Sequence, residues 1–372
     1  MSPSADPLMV NLPPPPPPPP PEVVALKDDV VVVGRGLMMS SCTVGGALAH
    51  EALFSAVVPW MRERRETRIR MARANVTTIA AGITVSIAIR RNGRIACWGA
   101  HNHSQTPPAD VEHRHPSHAS VSWSDEFIMV AAGSGDHCMA LRRDCTIVFW
   151  GKNDFGQAPR YSVKGEFVMV AAGGSHSIAL RRDGSIACWG HNQFGQAPTT
   201  GVDGKFLMVA AGFNHSLALR PDGSVACWGY NIFGQAPPDG VPPNDTPGNF
   251  IAIAAGNSHS MALQHDGTVA CWGYNDDGQA HPHVVEGDFV AIAAGGSHSL
   301  ALRRDGSVAC WGHNNHGQAP PEGVDGDFVA IAAGTLHSMA LRRDGSVACW
   351  GWNRFCQAPP EGISGPFGHV DV

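Results

Sequence analysis

The sequence predicts an all-β fold: a seven-bladed β-propeller of about 39-residue repeats with three-stranded blades, plus an N-terminal region outside the propeller. Three recurring markers predict it. A Trp-Gly pair returns at Trp98, Trp150, Trp189, Trp228, Trp272, Trp311 and Trp350, at spacings of 52, 39, 39, 44, 39 and 39. An Ala-Ala-Gly ends at Gly82, Gly133, Gly173, Gly212, Gly256, Gly295 and Gly334. A glutamine follows each tryptophan by seven residues, at Gln105, Gln157, Gln196, Gln235, Gln279, Gln318 and Gln357.

Each unit reads as three strands. In the copy starting at Phe289 these are FVAIAA, HSLAL and SVACW. The RRDGS between the second and third is a hairpin turn, because Asp and Gly supply turn geometry that other residues resist. The glycine after Ala-Ala is expected to let the chain reverse into the second strand. Neither face of the first two strands carries charge, so both must be covered. One small sheet cannot do this alone. Seven copies stacked around an axis cover one another, whereas an open stack would need polar end repeats. The first and last copies are as apolar as the middle ones, which favours a closed ring.

Composition narrows the function classes. The 372 residues include 43 glycines and 29 prolines, with 43% hydrophobic and only 16% charged residues. That excludes a coiled coil and global disorder. The formal net charge of −6 provides no whole-chain basic field, so nucleic acid is not an expected partner. No run of 18 apolar residues exists, so no membrane span is expected. Met1 to Asn11 lacks the features of a secretory signal. The expected setting is intracellular, cytoplasm or nucleus.

The ends differ from the repeats. Residues 1–21 read as a disordered proline-rich leader, residues 22–74 as an N-terminal extension, and residues 75–372 as the propeller. Pro13 to Pro21 is an unbroken proline run, suited to polyproline II, and serves either as a ligand for a proline-binding domain or as a spacer. Ala25 to Gly36 faintly resembles the second and third strands of a decayed repeat. Met61 to Arg73 reads as a basic helix. At the other end, Glu361 to Phe367 copies the linker before a first strand, so Phe367 to Val372 reads as a closing strand or as half of a split eighth blade.

Several copies depart from the pattern. Val85 replaces the histidine of the first copy, the second has one extra residue after Gly133, and Cys145 and Cys356 stand where other copies have glycine. Insertions run through Pro107 to Glu126 and Pro238 to Asn249.

No catalytic or cofactor motif is found, and no metal site is expected. His137, His176, His215, His259, His298 and His337 open the second strands. As repeated residues they offer the same environment each time, which suits structure better than catalysis; each is expected to satisfy a backbone group of its own loop. His113, His115 and His118, near His101 and His103, read as a histidine-rich loop. Cys97, Cys188, Cys227, Cys271, Cys310 and Cys349 should be unpaired, since packed sheets lie farther apart than a disulfide reaches. The tryptophans of Trp-Gly read as wedges between blades.

The motifs AAGxxHSLAL, RRDGSVxxWG and GxNxxGQ, from about Asn75 to Gln357, resemble the repeat of the regulator of chromosome condensation family. The short period resembles its compact branch, which includes a bacterial β-lactamase-inhibitor protein. The resemblance implies a propeller and admits two functions: a protein-binding scaffold, or a guanine-nucleotide exchange factor for a Ran-like small GTPase. A plant photoreceptor of the same fold senses light with tryptophans before the strand histidine. No tryptophan stands there in this chain, so light sensing is rejected.

Strand direction places the loop before each histidine and the loop after each Trp-Gly on one face, here called the top. The expected partner-binding residues are Phe194, Phe213, Asn214, Ile232, Phe233, Asp276, Asp277, His316, Leu336, Trp352 and Arg354. The resemblance supports them, since the inhibitor protein uses aromatic residues of these loops. Phe155, Phe194, Phe233 and Phe355 share one repeat position and could instead tuck under the loop as core.

Overall fold

The computed structural model describes residues 22–27, 30–34, 78–100, 127–240, 250–281, 283–365 and 367–368. The chain divides into two compact units, Met1–Glu66 and Thr67–Val372. In the first, Glu22–Lys27 and Val30–Gly34 pair as an antiparallel hairpin, near the segment read as a decayed repeat. The proline run, the basic helix and the histidine-rich loop lie outside the described residues.

The second unit holds seven three-stranded antiparallel sheets among its described residues. In the sixth blade the strands are Phe289–Ala294, His298–Arg303 and Val308–Gly312. The second strand lies in the middle of every sheet. The first strands of all seven blades line an axial channel of about 580 Å³. The middle strand is buried on both faces, as in His298 to Leu302, because each face packs against a neighbouring blade. The turn works as its sequence demands: Gly306 takes a φ of +90°, and Asp305 Oδ1 accepts from the Ser307 amide at 2.9 Å. Where the turn has Cys145 instead of glycine, the backbone keeps a φ of +65°.

The ring closes between blades seven and one. The Thr335 amide donates to the Gly82 carbonyl at 3.0 Å, and the Trp98 indole donates to the Gln357 carbonyl at 3.1 Å. Phe367 forms a bridge with Arg90, its ring lies 5.0 Å under the Arg90 guanidinium, and the Gly368 amide donates to the Ile89 carbonyl at 3.1 Å. Other blades place the phenylalanine that opens their own first strand under the equivalent arginine, as Phe328 does under Arg342. Phe367 therefore finishes blade one from the opposite end of the repeats. The described residues hold seven such blades, so Phe367 has the closing role rather than that of half an eighth blade.

Histidine, serine and glutamine join one blade to the next. His298 Nε2 lies 2.9 Å from Ser338 Oγ of the next blade. Ser338 Oγ donates back to the Gln318 carbonyl at 2.9 Å, so the imidazole must be the donor to the serine. The Trp350 indole donates to the same carbonyl at 3.0 Å. Equivalent histidine–serine bonds leave His137, His176, His215, His259 and His337, the last reaching Ser86 at 2.8 Å. The histidines thus bond a neighbour's side chain, not their own loop's backbone as the sequence suggested. The reason is burial: the ring lies between sheets, and the nearest polar group belongs to the next copy.

The Ala-Ala-Gly glycines also serve a purpose other than the expected one. None of the seven has a positive φ, so reversal of the chain does not require glycine there. A methyl group on Gly295 would instead run into the His298 ring and lie 2.6 Å from the Gly334 carbonyl oxygen. The same crowding passes from Gly334 to Gly82, closing a girdle of glycines around the axis. By contrast, Gly317 has a φ of +77° and open space around it. Its counterpart Cys356 keeps a φ of +60°, a conformation glycine adopts freely and other residues do not.

Gly295→Ala should destabilise by about 3 kcal/mol or more, through overpacking between blades. Gly317→Ala should cost only about 1 kcal/mol, and Cys356→Gly should gain a similar amount; denaturant melts will rank all three. Burial lowers the interblade imidazoles, to about 3 for His298 and about 4 for His259. In the unfolded chain they titrate near 6.5, so as pH falls the unfolded chain takes up protons first. Stability should be full above that value and fall progressively towards pH 4, by roughly 2 kcal/mol per histidine at pH 5. A His298→Gln variant should show a shallower fall of melting temperature between pH 7 and 5.

Candidate functional site

Both predicted loop sets lie at one end of the ring, and a backbone bond joins them in each blade. The residue after Trp-Gly donates to the residue before the strand histidine: His191 to Ser175 at 2.8 Å, Tyr230 to Asn214 at 2.9 Å, and Trp352 to Leu336 at 2.9 Å. The loop after Trp-Gly is braced from inside. Asn192 Oδ1 accepts from the Ala197 amide at 2.8 Å, and Gln196 Oε1 accepts from the Phe194 amide at 2.9 Å. These polar braces are buried or covered at their glutamines, and they hold the loop tip outward. The repeated Asn and Gln of GxNxxGQ are therefore loop frames, not ligands.

The tips carry the aromatic residues. Phe155 is 52% exposed, Phe194 41%, Phe233 46% and Phe355 36%. They do not tuck into the core, because the glutamine beneath occupies the interior of the loop. Phe213 and Ile232 are also exposed, as are Asp276, Asp277, His316 and Arg354. Asn214, Leu336 and Trp352 are half-buried.

These residues form groups around the rim, not one pocket. Phe194 stands 4.9 Å from Tyr230 of the next blade, and Phe233 stands 4.8 Å from Tyr274. On the far side His316 meets Trp352 at 6.3 Å and Trp352 meets Phe355 at 5.4 Å, with Arg354 6.0 Å from the Phe355 ring. Asp276 and Asp277 lie on the intervening blade, and Asp276 accepts from the Tyr274 hydroxyl, holding that phenol above its usual range. The sequence reading missed His191, Tyr230, Tyr274 and His313, the residues directly after Trp-Gly. Their signal was visible: that position varies from copy to copy inside an otherwise fixed motif.

Among the described residues, no group of three or more His, Cys, Asp or Glu could hold a metal ion. Cys188, Cys227, Cys271, Cys310 and Cys349 are free thiols. Burial pushes Cys227 and Cys271 up to about 12, which makes them inert as nucleophiles. No helix among the described residues is long and apolar enough to cross a membrane.

Comparison with known proteins agrees with this architecture. Residues 167–196, 209–235, 250–279, 289–318 and 328–357 match the regulator of chromosome condensation (RCC1) repeat. An 81-residue stretch, 22% of this chain, is 33% identical to the human E3 ubiquitin-protein ligase HERC2, but spans only 2% of that protein's length. The crystal structure of the CRINKLY WD40 ectodomain of the Arabidopsis thaliana receptor kinase ACR4 shares the fold, with a TM-score of 0.59 and 23% identity over 76% of this chain and 98% of that one. Prp20p from Saccharomyces cerevisiae, studied with its binding to Gsp1p and histones, gives a TM-score of 0.58 at 21% identity, over 80% of this chain and 87% of that one. The chain is therefore a seven-bladed propeller, five of whose blades carry the regulator of chromosome condensation repeat.

Proposed function

We propose that the chain is a non-enzymatic protein-protein interaction scaffold that binds a protein partner through its top-face loops. One observation carries this reading: aromatic side chains at corresponding loop tips stand exposed, on loops fixed from beneath by the hydrogen bonds of a repeated Asn and a buried Gln. Exposing such rings lowers solubility unless a partner covers them, and aromatic and arginine anchors dominate interface energies. Rigid loops also lose little entropy on binding. Phe194, Phe213, Asn214, Ile232, Phe233, Asp276, Asp277, His316, Leu336, Trp352 and Arg354 form the proposed surface. Unpaired thiols fit a reducing setting in cytoplasm or nucleus.

The alternative is a guanine-nucleotide exchange factor for a Ran-like small GTPase. The fold shared with Prp20p, whose structure was described with Gsp1p binding, favours it. Such exchange would also run on a partner-bound surface without chemical residues of its own.

Two experiments separate these readings. In affinity pull-downs, a partner held by the wild type should be lost by Phe213→Ala/Trp352→Ala while circular dichroism stays unchanged; retention would move the site off the top face. Release of a fluorescent nucleotide from a Ran-like GTPase should not accelerate at micromolar protein. Acceleration would select the exchange factor.

A further inference from the structure

On one side of the rim exposed phenylalanines alternate with half-buried His191, Tyr230 and Tyr274 across four blades, as a ladder of four rings followed by a separate pair. Phe155 and His191 stand 4.8 Å apart, His191 and Phe194 6.2 Å, and Phe194 and Tyr230 4.9 Å. Phe233 and Tyr274 continue the pattern at 4.8 Å. Neighbouring rings are steeply inclined, at 63°, 59° and 56° for the three close pairs, so each pair makes an open V. Equivalent phenylalanines of adjacent blades, such as Phe155 and Phe194, are no farther apart than about 11 Å, the two steps through His191 taken together.

The ladder alternates two chemistries. Phe155, Phe194 and Phe233 offer hydrocarbon alone. His191 and Tyr230 each add a donor. Gln196 Oε1 is occupied by the Phe194 amide, so its Nε2 faces His191 and donates to Nδ1 at 2.9 Å. The outer Nε2 of His191 must then carry the proton and act as a donor. At the far end the rings give way to Asp276 and Asp277, both exposed.

Resting on the reading of the top face as a partner surface, we propose that this ladder binds a proline-rich segment in the polyproline II conformation, with a basic residue beyond its prolines held by Asp276 and Asp277. The chemistry is complementary at each point. A polyproline II segment turns once every three residues, about 9 Å, which lies within the bound of about 11 Å on the blade-to-blade recurrence of the rings. Its proline rings fill inclined aromatic slots. Its carbonyls are unpaired and need donors, while its prolines have no N–H and need no acceptors. The ladder supplies donors and apolar faces in that balance, and its two carboxylates stand together where a cation would end the segment. A helix would leave the spaced slots unfilled, and an added strand would need a free backbone edge that the loop tips do not present.

The test is a fluorescence titration with a labelled oligoproline peptide ending in an Arg-Arg pair, against a Gly-Ser peptide with the same ending. The full chain is used, beside a full-length variant with Pro13 to Pro21 replaced by Gly and Ser, so that the chain's own prolines cannot compete with the probe. The oligoproline should bind at least one of these proteins at least tenfold tighter than the Gly-Ser peptide. Phe194→Ala/Tyr230→Ala should abolish that preference while circular dichroism stays that of the wild type, since both side chains lie on the loops outside the blade core. Asp276→Asn/Asp277→Asn should weaken the Arg-Arg peptide about threefold or more and leave an uncharged oligoproline unaffected. Equal binding of the two peptides, or oligoproline binding indifferent to Phe194 and Tyr230, would overturn the proposal. If that happens while the Phe213→Ala/Trp352→Ala variant still loses its pull-down partner, only the proline chemistry falls. If that variant keeps the partner as well, the top-face reading falls with it.

Discussion

No blade of this protein can be completed from its own residues. A sheet of three short strands with two apolar faces needs a cover on each side, and the cover is the next copy. The same holds for its polar groups. A histidine of one blade finds its acceptor on the serine of the next, and that serine returns a bond to the glutamine carbonyl of the first. Apolar burial supplies the driving force, and the hydrogen bonds fix the angle at which sheets meet. The glycines at the axis set how closely they meet, since the carbonyl of one lies where a side chain of the next would be.

This mutual dependence explains which residues the repeat holds fixed and which it releases. Gly, His, Ser, Trp and Gln each touch the neighbouring blade or frame a loop that does. The side chains between Asn and Gln, and the side chain after Trp-Gly, meet solvent, their own loop and the adjacent loops rather than the interior of the blades. They are free to differ, and in this chain they differ towards aromatic side chains. Function on such a scaffold is written at positions the fold does not use.

The architecture was legible because its markers are periodic. Strand lengths, the Asp-Gly turn and the shared face of the two loop sets all follow from alternation and chain direction. The partners of the histidines were not legible, because a single repeat does not contain the serine that each one meets. The purpose of the Ala-Ala-Gly glycine was hidden for the same reason: turn geometry and close approach call for the same residue, and only the φ angle separates them. The tips of the site were legible as variable aromatic positions. Their grouping into pairs was not, since His191, Tyr230 and Tyr274 come from one blade and their ring partners from another.

Phe367 lies against Arg90, and more than two hundred and seventy residues separate them. During synthesis, the first blade emerges long before the segment that seals it. Its outer flank stays uncovered until translation has passed the seventh repeat and the ribosome has let that phenylalanine go. Premature termination within the repeats would leave an open arc with bare flanks at both ends, a species for chaperones and proteases to recognise.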